Sequence, residues 1–214
     1  MYAMIRRYAG SGSVAEEVGR RVTQGLVPSL RQSPGFAGLC AVSSEDGDIY
    51  SITLFDTRQN AEASHARVRE WVQANLRDLL PNPPEVMSGE VRTNEMAQMQ
   101  DSEGGQAFIT MRIFDGARGA IPDIAQRAKE VLIPLMRQQN GFRGSIAFST
   151  DQSPSRIVAI SFWQSREAGQ AGTEQVLATI AAKMRDLLPN PPKRVAGPAM
   201  MMVMTPAPQR GPSA

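Results

Sequence analysis

The chain is short of the residues from which most catalytic and metal chemistry is built. Its 214 residues include one cysteine, Cys40, and one histidine, His65. A lone cysteine excludes an internal disulfide and a thiolate-rich metal site. One His and one Cys set apart along the chain, with no carboxylate cluster beside them, supply no other metal site, so none is expected. An excess of one charge is also missing: 23 basic and 21 acidic residues, interspersed, leave a formal charge of +2 and no electrostatic footprint for nucleic acid. No apolar run of signal-peptide or membrane-spanning length follows Arg6 and Arg7, so no membrane partner is expected and the cytoplasm is the default compartment. Neither a phosphate-binding loop nor a nucleophile elbow is present.

What the chain does have is a repeat. Arg77-Asp78-Leu79-Leu80-Pro81-Asn82-Pro83-Pro84 recurs, identical, as Arg185-Asp186-Leu187-Leu188-Pro189-Asn190-Pro191-Pro192. Such a recurrence marks a duplicated unit. Arg6 aligns with Arg112, Gly10 with Gly116, Pro28 with Pro134 and Gly38 with Gly144 at an offset of 106, which becomes 108 after the segment 150–155. The expected division is a first unit over 1–94, a polar linker over 95–105, a second unit over 106–204, and a disordered Pro-rich tail over 205–214.

Each unit reads as βαββαβ. Tyr2 to Tyr8 is a strand ending at Gly10. Ser13 and Glu16 form a capping-box pattern for a helix whose seam runs Val14, Val18, Val22, Leu26 and Leu30, with a kink expected at Pro28. Phe36 to Ser43 and Ile49 to Phe55 flank Glu45-Asp46-Gly47-Asp48 as a hairpin. Thr57 suits the N-cap of a second helix with the stripe Ala61, His65, Val68, Val72, Leu76 and Leu79. The octapeptide prolines end that helix, and Val86 to Asn94 is the last strand. The octapeptide therefore reads as a structural hinge, reporting ancestry and symmetry. In the second unit's first strand Ile109, Met111 and Ile113 are purely apolar and are expected to face the helices. The alternate side, Phe108, Thr110, Arg112 and Phe114, matching Tyr2, Met4, Arg6 and Tyr8, would face the duplicate sheet.

The first strand ending near a glycine, the helix ending Leu26-x-Pro28-x-Leu30 before Gly35-Phe36, and the strand running into Trp163-Gln164-Ser165-Arg166-Glu167-Ala168 together resemble the antibiotic biosynthesis monooxygenase superfamily. The resemblance covers nearly all of both halves. It implies an α+β fold: two tandem ferredoxin-like βαββαβ units whose antiparallel sheets pack as a pseudo-dimeric α+β barrel within one chain, with a homodimer of the fused chain left open. The superfamily includes cofactor-free oxygenases of polycyclic phenols and haem-degrading enzymes. Haem degradation goes with an Asn on the first strand, a Trp early in helix two and a later His; here stand Met4, Arg6 and Ser64, and no histidine follows His65.

The resemblance thus points to a small, largely apolar and aromatic ligand, with no cofactor, and to oxygenation of a phenol or quinol. The alternative is a non-catalytic binding or interaction protein with the same barrel. His65, Asn60 and Arg6 are the candidate catalytic residues, and Tyr8, Ser64, Trp71, Arg112, Ser161 and Trp163 the candidate ligand contacts. Each has a bland counterpart. His65 reads first as a hydrogen-bonded residue at the core's edge, Arg6 and Arg112 as paired with carboxylates inside the barrel. Trp163 reads as core and Asn60 as serving the first helical turn. Unit one, which keeps His65, is the better candidate, since Thr173 takes its place in unit two.

Overall fold

The computed structural model describes residues 1–96, 102–103 and 107–205. Unit one runs β1 (Tyr2–Tyr8), α1 (Ala15–Arg21), α2 (Val27–Arg31), β2 (Phe36–Ser43), β3 (Ile49–Phe55), α3 (Arg58–Asn75) and β4 (Glu85–Asn94). After the two-residue β5 (Ser102–Glu103) come β6 (Phe108–Phe114), α4 (Ile121–Arg137), β7 (Phe142–Ser149), β8 (Ile157–Trp163), α5 (Arg166–Lys183) and β9 (Lys193–Met204). Beyond Met96, the expected linker lies outside the described residues except for β5, which pairs with β9; the tail beyond Thr205 lies outside them too.

All strand pairings are antiparallel, in the order β2-β3-β1-β4-β7-β8-β6-β9, and β9 returns to β2 to close an eight-stranded barrel. Closure depends on the last strand of each unit being long. β4 pairs with β1 through Glu85 to Glu90 and then with β7 through Val91 to Asn94. β9 pairs with β6 through Lys193 to Pro198 and then with β2 through Ala199 to Met204. Each unit thereby finishes its sheet on the other's edge, and neither leaves an open edge strand at the seam.

The faces of β1 and β6 are the reverse of the expected ones. Ile109, Met111 and Ile113 lie inside the barrel with Ala3, Ile5, Ile52, Phe148, Ile160 and Phe162. Tyr2 and Met4 face the helices of unit one, and Phe114 faces α4 and α5. The physical reason is access to polar partners. An eight-stranded barrel is filled by its own side chains and offers no polar partner, so the purely apolar side goes in. The helix-covered side supplies polar partners instead, Thr53 and His65 for Arg6 and Ser161 for Arg112. Each large side chain in the barrel contributes about 1.5–3 kcal/mol of burial. Cys40 is among them, its thiol pushed up to about 12 by burial, and is no nucleophile.

Local chemistry accounts for the helix boundaries. Thr57 caps α3, accepting from Asn60 N–H, and Ser165 caps α5 in the same way through Ala168 N–H. The expected Ser13 box does not form: a 3-10 turn over Gly12–Val14 precedes α1, which lacks a side-chain cap. The kink expected at Pro28 is a π-helical turn over Val22–Leu26, closed by Val27 N–H on Val22 O, just before the residue that has no N–H to give. Its counterpart Pro134 sits inside an unbroken α4. The second hairpin is longer by two residues, as the change of offset requires.

Candidate functional site

Arg6 projects from β1 toward α3 and is 2% exposed. Its Nη1–H donates to Thr53 Oγ1 at 3.2 Å on the neighbouring strand. Its Nη2–H reaches Met4 Sδ at 3.0 Å and His65 Nδ1 at 3.1 Å, and Nε has no partner. Among the described residues no carboxylate pairs with it, so the expected ion pair inside the barrel does not form there; the guanidinium lies outside the barrel, under α3. Burial pulls Arg6 down to about 10, which leaves it fully charged at neutral pH. Such a charge is costly to bury, by several kcal/mol, unless something opposes it.

His65 is half-buried on the inner edge of α3. Because a guanidinium can only donate, the contact with Arg6 requires the lone pair on Nδ1 and places the proton of the neutral ring on Nε2. His65 thus presents a donor. Burial, then the positive charges of Arg6 and Arg69, hold its pKa below the ordinary 6.5. The folded value lies below the unfolded one, so the stability linked to this ring is complete above pH 6.5 and is lost as pH falls through the folded value. As the sole imidazole, His65 gives one ring titration by NMR, and its midpoint is expected below 6.5, rising in Arg6→Met. A midpoint at or above the ordinary value would contradict the assigned tautomer and the contact.

A cavity of about 590 Å³ opens beside this pair. Its floor includes Arg6, Tyr8 and His65, its α3 wall includes Arg69, Val72 and Gln73, and its far wall is the octapeptide. Arg77, Leu80, Pro81, Asn82, Pro83 and Pro84 all line it, so the octapeptide is a cavity wall; it is not the expected helix stop, because α3 ends at Asn75, with Leu76 as its C-cap, before the octapeptide begins. Leu80 N–H bonds to Leu76 O at 2.7 Å, which fixes the turn and buries Leu80 beneath the wall. Among the described residues three arginines line the cavity and no acid does. Tyr8 is 7% exposed, and burial raises its phenol against the lowering pull of Arg6.

No family model and no curated protein matches the chain. Solved structures do. A candidate monooxygenase from Fusobacterium nucleatum superposes with a TM-score of 0.69 at 9% identity, covering 95% of this chain and 94% of its own. A candidate monooxygenase from Lactobacillus acidophilus gives 0.65 at 9% identity and 95% of both chains. An anthrone oxidase-like protein gives 0.60 at 12% identity, covering 100% of this chain and 96% of its own. The likeness is one of fold. It shows a pseudo-dimeric α+β barrel, and the site chemistry has to be argued from the residues present.

Several candidates fall away from the cavity. Asn60 bonds to Asp56 Oδ1 at 2.8 Å and its N–H to the Thr57 cap, so it serves the helix start. Ser64 is buried behind His65 with an unpartnered hydroxyl. Trp71 packs on the π-helical segment, where a Cβ on Gly25 would come within 2.5 Å of its ring. Trp163 is fully buried against Gly169 and Gly172 and donates to Thr110 Oγ1 at 3.0 Å. Arg112 is 2% exposed and donates to Ser161 Oγ at 2.8 Å, and among the described residues no carboxylate pairs with it.

Unit two has a groove at the matching place, about 430 Å³, walled by the second octapeptide. Its floor is Phe114 where unit one has Tyr8, and Leu177 and Ala181 replace Arg69 and Gln73. Arg112 does not line it. The residues missed by sequence reasoning are therefore Arg69, Gln73 and Arg77. Their signal was present: His65, Arg69, Gln73 and Arg77 recur every fourth residue, against Thr173, Leu177, Ala181 and Arg185 in the other copy.

Among the described residues no group of three or more His, Cys, Asp or Glu side chains could hold a metal, and no helix is long and apolar enough to cross a membrane.

Proposed function

We propose that unit one binds a small aromatic molecule as its phenolate or enolate and promotes its reaction with O2 without a cofactor, as a member of the antibiotic biosynthesis monooxygenase superfamily. The observation that carries this reading is a buried guanidinium, free of any carboxylate and linked to the sole imidazole, at the base of an apolar-walled cavity. The proline wall and Val72, Leu80 and Val86 suit the ring, and Arg6 with the His65 Nε2–H suits the oxyanion. Arg69 and Arg77 at the mouth draw anions inward.

Binding the anion in preference to the phenol lowers the substrate's pKa, and its proton leaves to solvent at the open mouth. The electron-rich ring passes one electron to O2, and the radical pair combines at the ring carbon para to the oxygen. The peroxide takes a proton, then loses water to leave a quinone. One oxygen atom enters the new carbonyl, the other leaves as water, and all four electrons come from the substrate. His65 acts here as a donor to the anion and the peroxide.

Oxygen uptake with anthrones, naphthols and hydroquinones tests the reading; an anthrone is the first choice, since a structural neighbour is named for one. The expected result is one O2 consumed per substrate at a rate above the protein-free reaction. Binding without uptake across the panel would replace the oxygenase by a non-catalytic binding protein, and absence of both would remove either reading.

A further inference from the structure

Unit two holds a buried charge with no counter-charge opposite it among the described residues. Arg112 uses only Nη2, on Ser161; Nε and Nη1 have no partner. Ser161 turns its own hydroxyl to Met136 Sδ at 3.7 Å, so it does not bring a counter-charge. Arg112 also lines a small cavity of about 60 Å³ between the sheet and α4 and α5, separate from the proline-walled groove. Ser145, 4% exposed, lines the same cavity, and its Oγ is likewise unpartnered. The remaining wall is mostly apolar, including Phe114, Ile133 and Ile180, and among the described residues contains no acid.

Unit one relieves the matching arginine in two ways that unit two lacks. Arg6 has His65 as well as Thr53, and it faces an open cavity that solvent can enter. At Arg112, Thr173 stands where His65 would be, with its own hydroxyl unpartnered. A water in the cavity would satisfy hydrogen bonds but leave the charge, and an uncompensated guanidinium in apolar surroundings is the costly case.

We propose that the Arg112 cavity is a binding site for a small monovalent anion, a halide or nitrate-sized oxyanion, held by Arg112 Nε–H and Nη1–H and by the Ser145 hydroxyl. One guanidinium calls for one negative charge. The cavity has room for only a few atoms, since a water's share of liquid volume is about 30 Å³. Its apolar wall favours ions that shed water easily, so bromide and nitrate should bind better than fluoride. The inference is independent of the reaction proposed for unit one.

Thermal unfolding of the full chain at constant ionic strength, exchanging gluconate for bromide or nitrate, tests it. The wild type should show a saturating rise in Tm of about 5 °C or more once the anion reaches a hundred times its Kd. Arg112→Met should lose that dependence and supply the baseline for general salt effects, and Ser145→Ala should weaken it. Parallel salt responses in wild type and Arg112→Met would overturn the proposal. Should Arg112→Met fail to fold, wild-type crystals grown in bromide decide: an anomalous peak at the guanidinium supports the site, and water alone there overturns it.

Discussion

Arg6→Met is expected to cost about 100-fold or more in kcat/KM, or in affinity for the aromatic anion, while leaving the free protein as stable as before or more so. The two halves of that expectation have one cause. In the free protein the guanidinium is 2% exposed and meets only a hydroxyl, a thioether and an imidazole. A methionine of similar length removes a desolvated charge and lets the apolar surroundings close. With an anion bound, the same guanidinium is the only buried positive charge at the cavity base, and its loss strands the oxyanion without its main donor. Arg6→Lys keeps the charge but loses the fork that reaches Thr53 and His65 together, and should retain an intermediate activity. Oxygen-uptake kinetics and denaturant unfolding read the two effects separately. A variant that loses stability and activity in step would make Arg6 a structural residue, and one that keeps full activity would move the site elsewhere.

The duplicated unit, the order of elements within it and the α3 cap were legible because they depend on local signals: a repeated phrase, turn residues, alternation and a Thr at the helix start. The faces of β1 and β6 were not. Alternation separates two sides of a strand but does not say which side a closed barrel will enclose, and the aromatic side was given to the wrong cover. Arg6 and His65 could be singled out as scarce polar residues on buried stripes. Their 3.1 Å contact, and the donor role it imposes on His65, needed the register of β1 under α3. Asn60 is the opposite case, a position whose helix-start reading needs only local sequence. It lies three residues after Thr57, where the helix start accounts for it completely. The octapeptide reads from sequence as the end of the helix, yet α3 and α5 end just before it, and its six cavity-lining residues depend on where the last strand re-enters the sheet.

Gly89→Val and Gly197→Val are each expected to destabilise the protein by about 3 kcal/mol or more, the largest effect foreseen for any single substitution outside the cavity. The two glycines are equivalent positions, 108 residues apart, in β4 and β9. Each stands where its strand leaves its own unit's sheet for the other's. A Cβ on Gly89 would lie 1.8 Å from Ser149 O at the end of β7, and one on Gly197 would lie 2.0 Å from Ser43 O at the end of β2. These are backbone atoms held in place by strand pairing, so no side-chain rotation relieves the clash. Neither glycine has a positive φ, so the requirement is space and not backbone conformation. Relief would come only by separating β4 from β7 or β9 from β2, which are the contacts that close the barrel. Denaturant unfolding of each variant checks the magnitude, and the double variant should fail to fold as one cooperative barrel. A loss below about 1 kcal/mol at both positions would mean the seam can yield at low cost, and the barrel would then be a looser closure than its strand pairing implies.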